Sequence, residues 1–113
     1  MPQSTPLTPA SFVEFVRVHK FAMVHFWAIW NGHDVEMKEL IESQIPDDLA
    51  NRVALAIFNV DPPEHHELCR QHQLLNLPFL EFYRDGSLVR TSIGLLAPAA
   101  VIQYLKELVE DVG

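Results

Sequence analysis

The feature that most constrains this chain is a continuous apolar run at residues 21–28 (FAMVHFWA). A second run of the same kind covers residues 53–60 (VALAIFNV). Each has the length of a strand, and neither alternates between apolar and polar residues as a strand with one wet face does. We therefore predict two central strands that other elements cover on both faces. His25 interrupts the first run, and we predict that it is a core histidine with a hydrogen-bond partner.

Helical patterns surround these strands. Thr8 and Pro9 form a favourable helix start, because a hydroxyl cap is followed by proline at the first helical position. Apolar residues recur at helical spacing in later segments, which predicts further helices at about residues 35–45, 64–73 and 98–110. Alternation of helices with buried strands is typical of parallel βαβ units.

A hairpin is predicted between residues 79–83 and 88–93, because Asp85-Gly86 supplies positive φ angles at little cost. The predicted fold class is therefore α/β, with a central mixed sheet of four or five strands and helices on both faces. We expect one domain over residues 1–113, in which residues 1–7 form a poorly ordered tail or a short edge strand. The hydrophobic fraction of 49% suits a core that needs no disulfide or metal to fold.

Charge and cysteine content exclude several classes of function. The net charge of −7 disfavours nucleic acid and anionic membrane surfaces as partners. No apolar stretch reaches the roughly 20 residues of a membrane span, and residues 1–9 show no leader pattern. The only cysteine, Cys69, fits a reducing compartment, so we predict a cytoplasmic protein.

Residues 24–34 (VHFWAIWNGHD) resemble the motif V-D-F-W-A-x-W-C-G-P-C of the thioredoxin family. Asn76-Leu77-Pro78 is similar to the family segment that holds a cis-proline, and Gly94 is similar to the glycine after its last strand. The resemblance covers about residues 8–109. It implies the thioredoxin fold and a cis peptide bond before Pro78.

The chain departs from the motif at the positions that carry the family's chemistry. Asn31 and Asp34 stand where the motif has its two cysteines, and His25 replaces a buried aspartate. Thiol–disulfide exchange needs a thiolate, which neither asparagine nor aspartate supplies. We therefore expect no dithiol–disulfide oxidoreductase activity and no catalytic residues of that type.

Helix capping accounts for these replacements. Asn31 is a favoured N-cap residue, and Asp34 could reach back to it as the acidic half of a capping box. An alternative is a metal or acid–base site formed by His33 and Asp34, together with His25. Its spacing matches no strong metal motif, so we predict no metal ligands here.

His65, Cys69 and His72 share one face of the third predicted helix. They could form a metal face, but the resemblance places Cys69 and His72 at packed positions. We predict that Cys69 is a small buried hydrophobic residue. Glutathione-linked redox chemistry through Cys69 is retained as an alternative.

The residues around Trp30 and Pro78 indicate a binding surface. The function predicted is that of a redox-inactive domain, an adaptor or chaperone-like factor that binds a protein or peptide and needs no cofactor. Pairing with the backbone of an extended segment does not require cysteines. A partner that docks elsewhere, on an exposed helix face, is a further alternative, and the oligomeric state stays open. The predicted groove comprises Trp30, Gly32, His33, Leu77, Pro78 and Phe79, beside Asn31 and Asp34.

Overall fold

The computed structural model describes residues 4–110, in which five strands form one mixed sheet with helices on both faces. The strands are β1 (Thr5–Pro6), β2 (Phe21–Trp27), β3 (Ala54–Asn59), β4 (Phe79–Arg84) and β5 (Ser87–Ile93). The helices are α1 (Pro9–Val18), α2 (Gly32–Gln44), α3 (Asp47–Ala50), α4 (His66–Gln71) and α5 (Pro98–Val109), and a 3-10 turn covers Pro63–His65.

The strand order is β1-β3-β2-β4-β5, with β1, β3 and β2 parallel and both β4 and β5 antiparallel to their neighbours. This arrangement confirms the predicted α/β fold with a central mixed sheet. The segment predicted as a tail or edge strand contains β1, which pairs with β3 through Thr5 and Pro6. Residues 1–3 of that segment lie outside the described residues.

Side-chain alternation along β2 and β4 divides the core into two clusters, one on each face of the sheet. The fully buried residues of β2 and β3 confirm the prediction that these strands are covered on both sides. The cluster beside α2 and α5 includes Met23, Met37, Ile41, Leu80, Phe82 and Leu105. The cluster beside α1 and α4 includes Phe12, Val24, Phe26, Phe58, Cys69 and Phe79.

The helix starts and the hairpin follow local rules. Thr8 caps α1 as predicted. Ser11 completes a reciprocal pair that was not predicted: Thr8 Oγ1 accepts from Ser11 N–H at 3.2 Å, and Ser11 Oγ accepts from Thr8 N–H at 2.9 Å. Asp85 and Gly86 both have positive φ, 52° and 81°, as the predicted hairpin turn requires.

The third predicted helix is shorter than expected. It begins as the 3-10 turn Pro63–His65 and its α-helical part ends at Gln71. Gln73 has a φ of 55°, a left-handed conformation that cannot continue a helix. The helix therefore ends just before His72, whose side chain is hydrogen-bonded to Glu81 in β4.

One edge of the sheet collects the ends of four strands, and we call it the site edge. Trp27 at the end of β2 pairs with Asn59 at the end of β3, and Phe79 at the start of β4 pairs with Phe26 and with Ile93 at the end of β5. Helix α2 starts immediately after β2. Over residues 4–110, none of the helices has both the length and the apolar character needed to cross a membrane.

Candidate functional site

Asn31 begins helix α2 at the site edge. Its backbone is extended, and its Oδ1 accepts a hydrogen bond from the backbone N–H of His33 at 3.0 Å. This bond satisfies one of the N–H groups that the first turn of a helix leaves without a backbone partner. The prediction that Asn31 caps α2 is therefore confirmed.

The prediction that Asp34 reaches back to the N-cap is wrong. Its side chain is fully buried, at 0% exposure, and points from α2 toward the sheet. Oδ1 lies 3.0 Å from Nε2 of His25 in β2, and Oδ2 accepts the backbone N–H of Ala28 at 3.1 Å. The carboxylate therefore links the first turn of α2 to β2. It faces inward because His25, a buried hydrogen-bonding residue of β2, lies beneath that turn.

His25 is 1% exposed, and its bond to Asp34 confirms the prediction of a core histidine with a partner. The Ala28 N–H is a donor, so Asp34 is the acceptor at that oxygen, and an ionised carboxylate can accept at both oxygens. The arrangement fits a His25 Nε2–H that donates to Asp34 Oδ1. Its other ring nitrogen, Nδ1, has no hydrogen-bond partner within the described part of the chain.

His33 does not join this pair, since its side chain is exposed while Asp34 is buried. Across residues 4–110, no group of three or more histidine, cysteine, aspartate or glutamate side chains is arranged to hold a metal ion. The alternative of a metal or acid–base site built from His33 and Asp34 together therefore lacks the necessary geometry.

Trp30 is a large, exposed aromatic side chain at the site edge. It is 69% exposed, as is its neighbour Ile29. The indole Nε1–H of Trp30 donates to Oδ1 of Asp61, which follows β3, at 2.8 Å. That bond fixes the ring across the gap between the loops after β2 and β3, and leaves its apolar surface in solvent.

The Leu77–Pro78 peptide bond is cis, as the resemblance implies. The backbone N–H of Leu77 donates to Oδ1 of Asn76 at 2.8 Å, and the carbonyl of Pro78 accepts from Gly94 N–H at 2.7 Å. Leu77 is partly exposed, but the Pro78 ring is buried. Phe79, which the sequence analysis assigned to the groove, is 3% exposed and packs against Phe26 with 5.5 Å between ring centroids.

His65, Cys69 and His72, which are predicted to share one helical face, each contact a different part of the protein. His65 Nδ1 lies 2.6 Å from the carbonyl oxygen of Asn59 and its ring stacks on Phe58. His72 is hydrogen-bonded to Glu81. Cys69 is buried in the core, as predicted.

A buried polar cluster beneath α4 escaped the sequence analysis. Both carboxylate oxygens of Glu81 lie within 2.9 Å of His72 Nδ1, and the hydroxyl of Tyr83 donates to Glu81 Oε1 at 2.6 Å. Burial, followed by the bond to Glu81, raises the pKa of Tyr83 far above its usual value. A glutamate in the middle of an otherwise apolar strand was the signal that could have predicted a partner on a neighbouring element.

Cys69 should be unreactive in the folded protein. Burial raises the pKa of its thiol, and burial also blocks access to reagents. We expect iodoacetamide to label Cys69 at least about 100-fold more slowly in native protein than in guanidinium chloride. Labelling followed by mass spectrometry measures this ratio. Equal rates would restore the alternative of redox chemistry through Cys69.

The chain matches the sequence profile of the thioredoxin family, described as Thioredoxin, over residues 3–107. Thioredoxin of Acidithiobacillus ferridurans is 29% identical over 92 residues, which is 81% of this chain and 82% of that protein. Thioredoxin of Mycobacterium tuberculosis (strain H37Rv) is 28% identical over 108 residues, covering 95% of this chain and 90% of that protein.

Solved structures agree on the fold. A mutant thioredoxin from Halobacterium salinarum superposes with a TM-score of 0.81 at 21% identity, covering 100% of this chain and 98% of that chain. Oxidised mitochondrial thioredoxin 3 from Saccharomyces cerevisiae gives a TM-score of 0.80 at 23% identity, covering 93% of this chain and 95% of that chain. The profile match over nearly the whole sequence, on a five-stranded sheet of this topology, shows that the chain belongs to the thioredoxin family.

Proposed function

We propose that this thioredoxin-family domain is redox-inactive and binds an extended segment of another protein at the site edge, as an adaptor or chaperone-like factor. One observation carries the proposal: the residues at both cysteine positions have structural roles. Asn31 caps α2, and Asp34 is buried against His25 and Ala28. A cytoplasmic location belongs to the same proposal, because the one cysteine in this sequence is unpaired.

The surface that supports binding is formed by Trp30, Ile29 and Leu77, with the backbone around Pro78. An extended segment could pair with the backbone beside Leu77 and rest apolar side chains on the Trp30 ring. Asn76 Oδ1 occupies the Leu77 N–H, so an incoming carbonyl group would have to displace that side chain. Gly32 and His33, which are exposed at the start of α2, lie beside this path.

Disulfide exchange is the rival activity, since the relatives at about 28% identity are named thioredoxins. The rival needs a sulfur nucleophile at the site edge, and residues 31–34 read Asn-Gly-His-Asp. Reduction of insulin by dithiothreitol tests it directly. We expect the protein to leave the uncatalysed rate unchanged, and a clear acceleration would contradict the proposal.

Binding should depend on Trp30. A reduced, carboxymethylated protein that stays unfolded serves as a fluorescent probe, and anisotropy measures its dissociation constant. We expect Trp30→Ala to weaken binding by about tenfold or more, because an exposed tryptophan at the centre of an interface is a typical hot spot.

The matched control for this variant is Val13→Ala, which removes an exposed apolar side chain from α1, away from the site edge. It should leave the dissociation constant unchanged. Equal losses in both variants, or none in Trp30→Ala, would favour a partner that docks on another face.

A further inference from the structure

Charge is distributed unevenly between the two ends of the sheet. None of the eight lysines and arginines lies in the segments that form the site edge, residues 27–36, 59–66, 74–79 and 93–98. At the opposite end, Arg84 and Arg52 donate to carbonyl groups at the end of α5, on Leu108 at 2.9 Å and Val109 at 3.3 Å. Arg84 and Arg52 are therefore placed away from the proposed groove, whereas Lys38 of α2 shares a cavity with Trp27 and Asn59 and is paired with Glu42 at 2.9 Å.

The site-edge segments do contain exposed carboxylates. Glu36 on α2, Asp61 after β3 and Glu64 in the 3-10 turn are all exposed in the site-edge segments. Within residues 4–110, none of the three forms an ion pair. Asp61 accepts the Trp30 indole N–H through Oδ1 only, so its charge remains available to a partner.

The site edge also contains exposed apolar surface. Ile29 and Trp30 are both 69% exposed, and Leu95, which follows Gly94, is 39% exposed. The bond between Gly94 N–H and the Pro78 carbonyl brings the Leu95 loop next to the cis-proline segment. The site edge therefore combines exposed apolar side chains with three exposed carboxylates on its α2 and β3 side, and its segments contain no lysine or arginine.

We propose that the segment bound here is apolar at its centre and carries lysine or arginine next to that centre. The inference rests on the proposed function and names the chemistry of its partner. Rim charges of one sign attract the opposite sign, raise association rates and reject partners of like charge. A second copy of this chain fits poorly, because its net charge is −7.

Three matched fluorescent peptides test the proposal, each with the centre Val-Phe-Val-Leu and with paired lysines, serines or glutamates at both ends. We expect the lysine peptide to bind about tenfold more tightly than the serine peptide and the glutamate peptide to bind more weakly than both. Salt should reduce the differences, since exposed charges are screened. The protein should remain monomeric throughout, as measured by light scattering.

The double variant Asp61→Asn with Glu64→Gln should remove most of the advantage of the lysine peptide, while the asparagine retains an oxygen for the Trp30 N–H. Glu39→Gln with Asp48→Asn removes the same charge from exposed positions away from the site edge and should preserve the advantage. Equal binding of all three peptides, weakened by Trp30→Ala, would overturn this inference and leave the proposed function intact. Binding of none of them would contradict both.

Discussion

Replacing Asp34 with alanine should lower the free energy of unfolding by about 2–6 kcal/mol, because it leaves two buried donors unsatisfied at about 1–3 kcal/mol each. The substitution removes the acceptor of two donors, His25 Nε2–H at 3.0 Å and Ala28 N–H at 3.1 Å. Both groups would remain in a site without water access, and an unsatisfied buried donor is costly. Urea denaturation followed by circular dichroism measures the change.

Two further variants show which interaction is lost. Asp34→Asn keeps an oxygen for the Ala28 N–H and offers an amide to His25, which can then carry its proton on Nδ1; we expect a loss of about 1–2 kcal/mol. Glu36→Ala removes an exposed carboxylate near the same helix start and should change stability by less than about 0.5 kcal/mol. Similar losses for Asp34→Ala and Glu36→Ala would contradict the interpretation of Asp34 as a buried tie between α2 and β2.

The direction of the Asp34 side chain illustrates where sequence reasoning gave the wrong answer. Position and residue type also fit a capping box, so capping preference alone favours an Asp34 side chain that reaches back to Asn31. The helical periodicity of α2 instead predicts a buried Asp34, because this residue lies on the same face as the buried Met37 and Ile41. A polar residue on that face next to a strand containing His25 predicts a buried pair, and the two observations needed to be combined.

Most of the fold was predictable because it depends on local patterns. Continuous apolar runs identified β2 and β3, and Asp85-Gly86 identified the hairpin between β4 and β5. The cluster of His72, Glu81 and Tyr83 was not predictable in this way, because α4 and β4 contribute separately to it. Whether a buried glutamate meets a histidine depends on how two elements pack, and single-sequence periodicity does not report that distance.

The site was predictable in part, from the resemblance and from local patterns. The resemblance located Trp30 and Pro78, and capping preference identified the role of Asn31. The inward position of Phe79 follows from alternation along β4, in which Phe79, Glu81 and Tyr83 point to one face. That alternation is visible in the sequence, and it predicts a buried Phe79, whereas adjacency to Pro78 alone predicts a groove position.

The other large effect is expected from Asn31→Cys. A thiol at this N-cap would lie where Oδ1 now accepts the His33 N–H at 3.0 Å, so the same donor would stabilise a thiolate. Helix N-termini can lower a cysteine pKa to about 7.5 or below, whereas burial raises the pKa of Cys69. We therefore expect iodoacetamide to label position 31 at least about 100-fold faster than Cys69 in the folded protein.

Ser87→Cys supplies an ordinary exposed thiol for comparison, since Ser87 lies at the exposed start of β5. The thiol pKa of Asn31→Cys, measured from the pH dependence of labelling, should be lower than that of Ser87→Cys. The buried Asp34 carboxylate acts in the opposite direction, but its oxygens already accept from His25 and Ala28, whereas the His33 N–H points directly at position 31. An equal or higher pKa at position 31 would mean that the Asp34 charge outweighs the helix N-terminus. The electrostatics of the site, as well as the residue type, would then disfavour a thiolate at position 31.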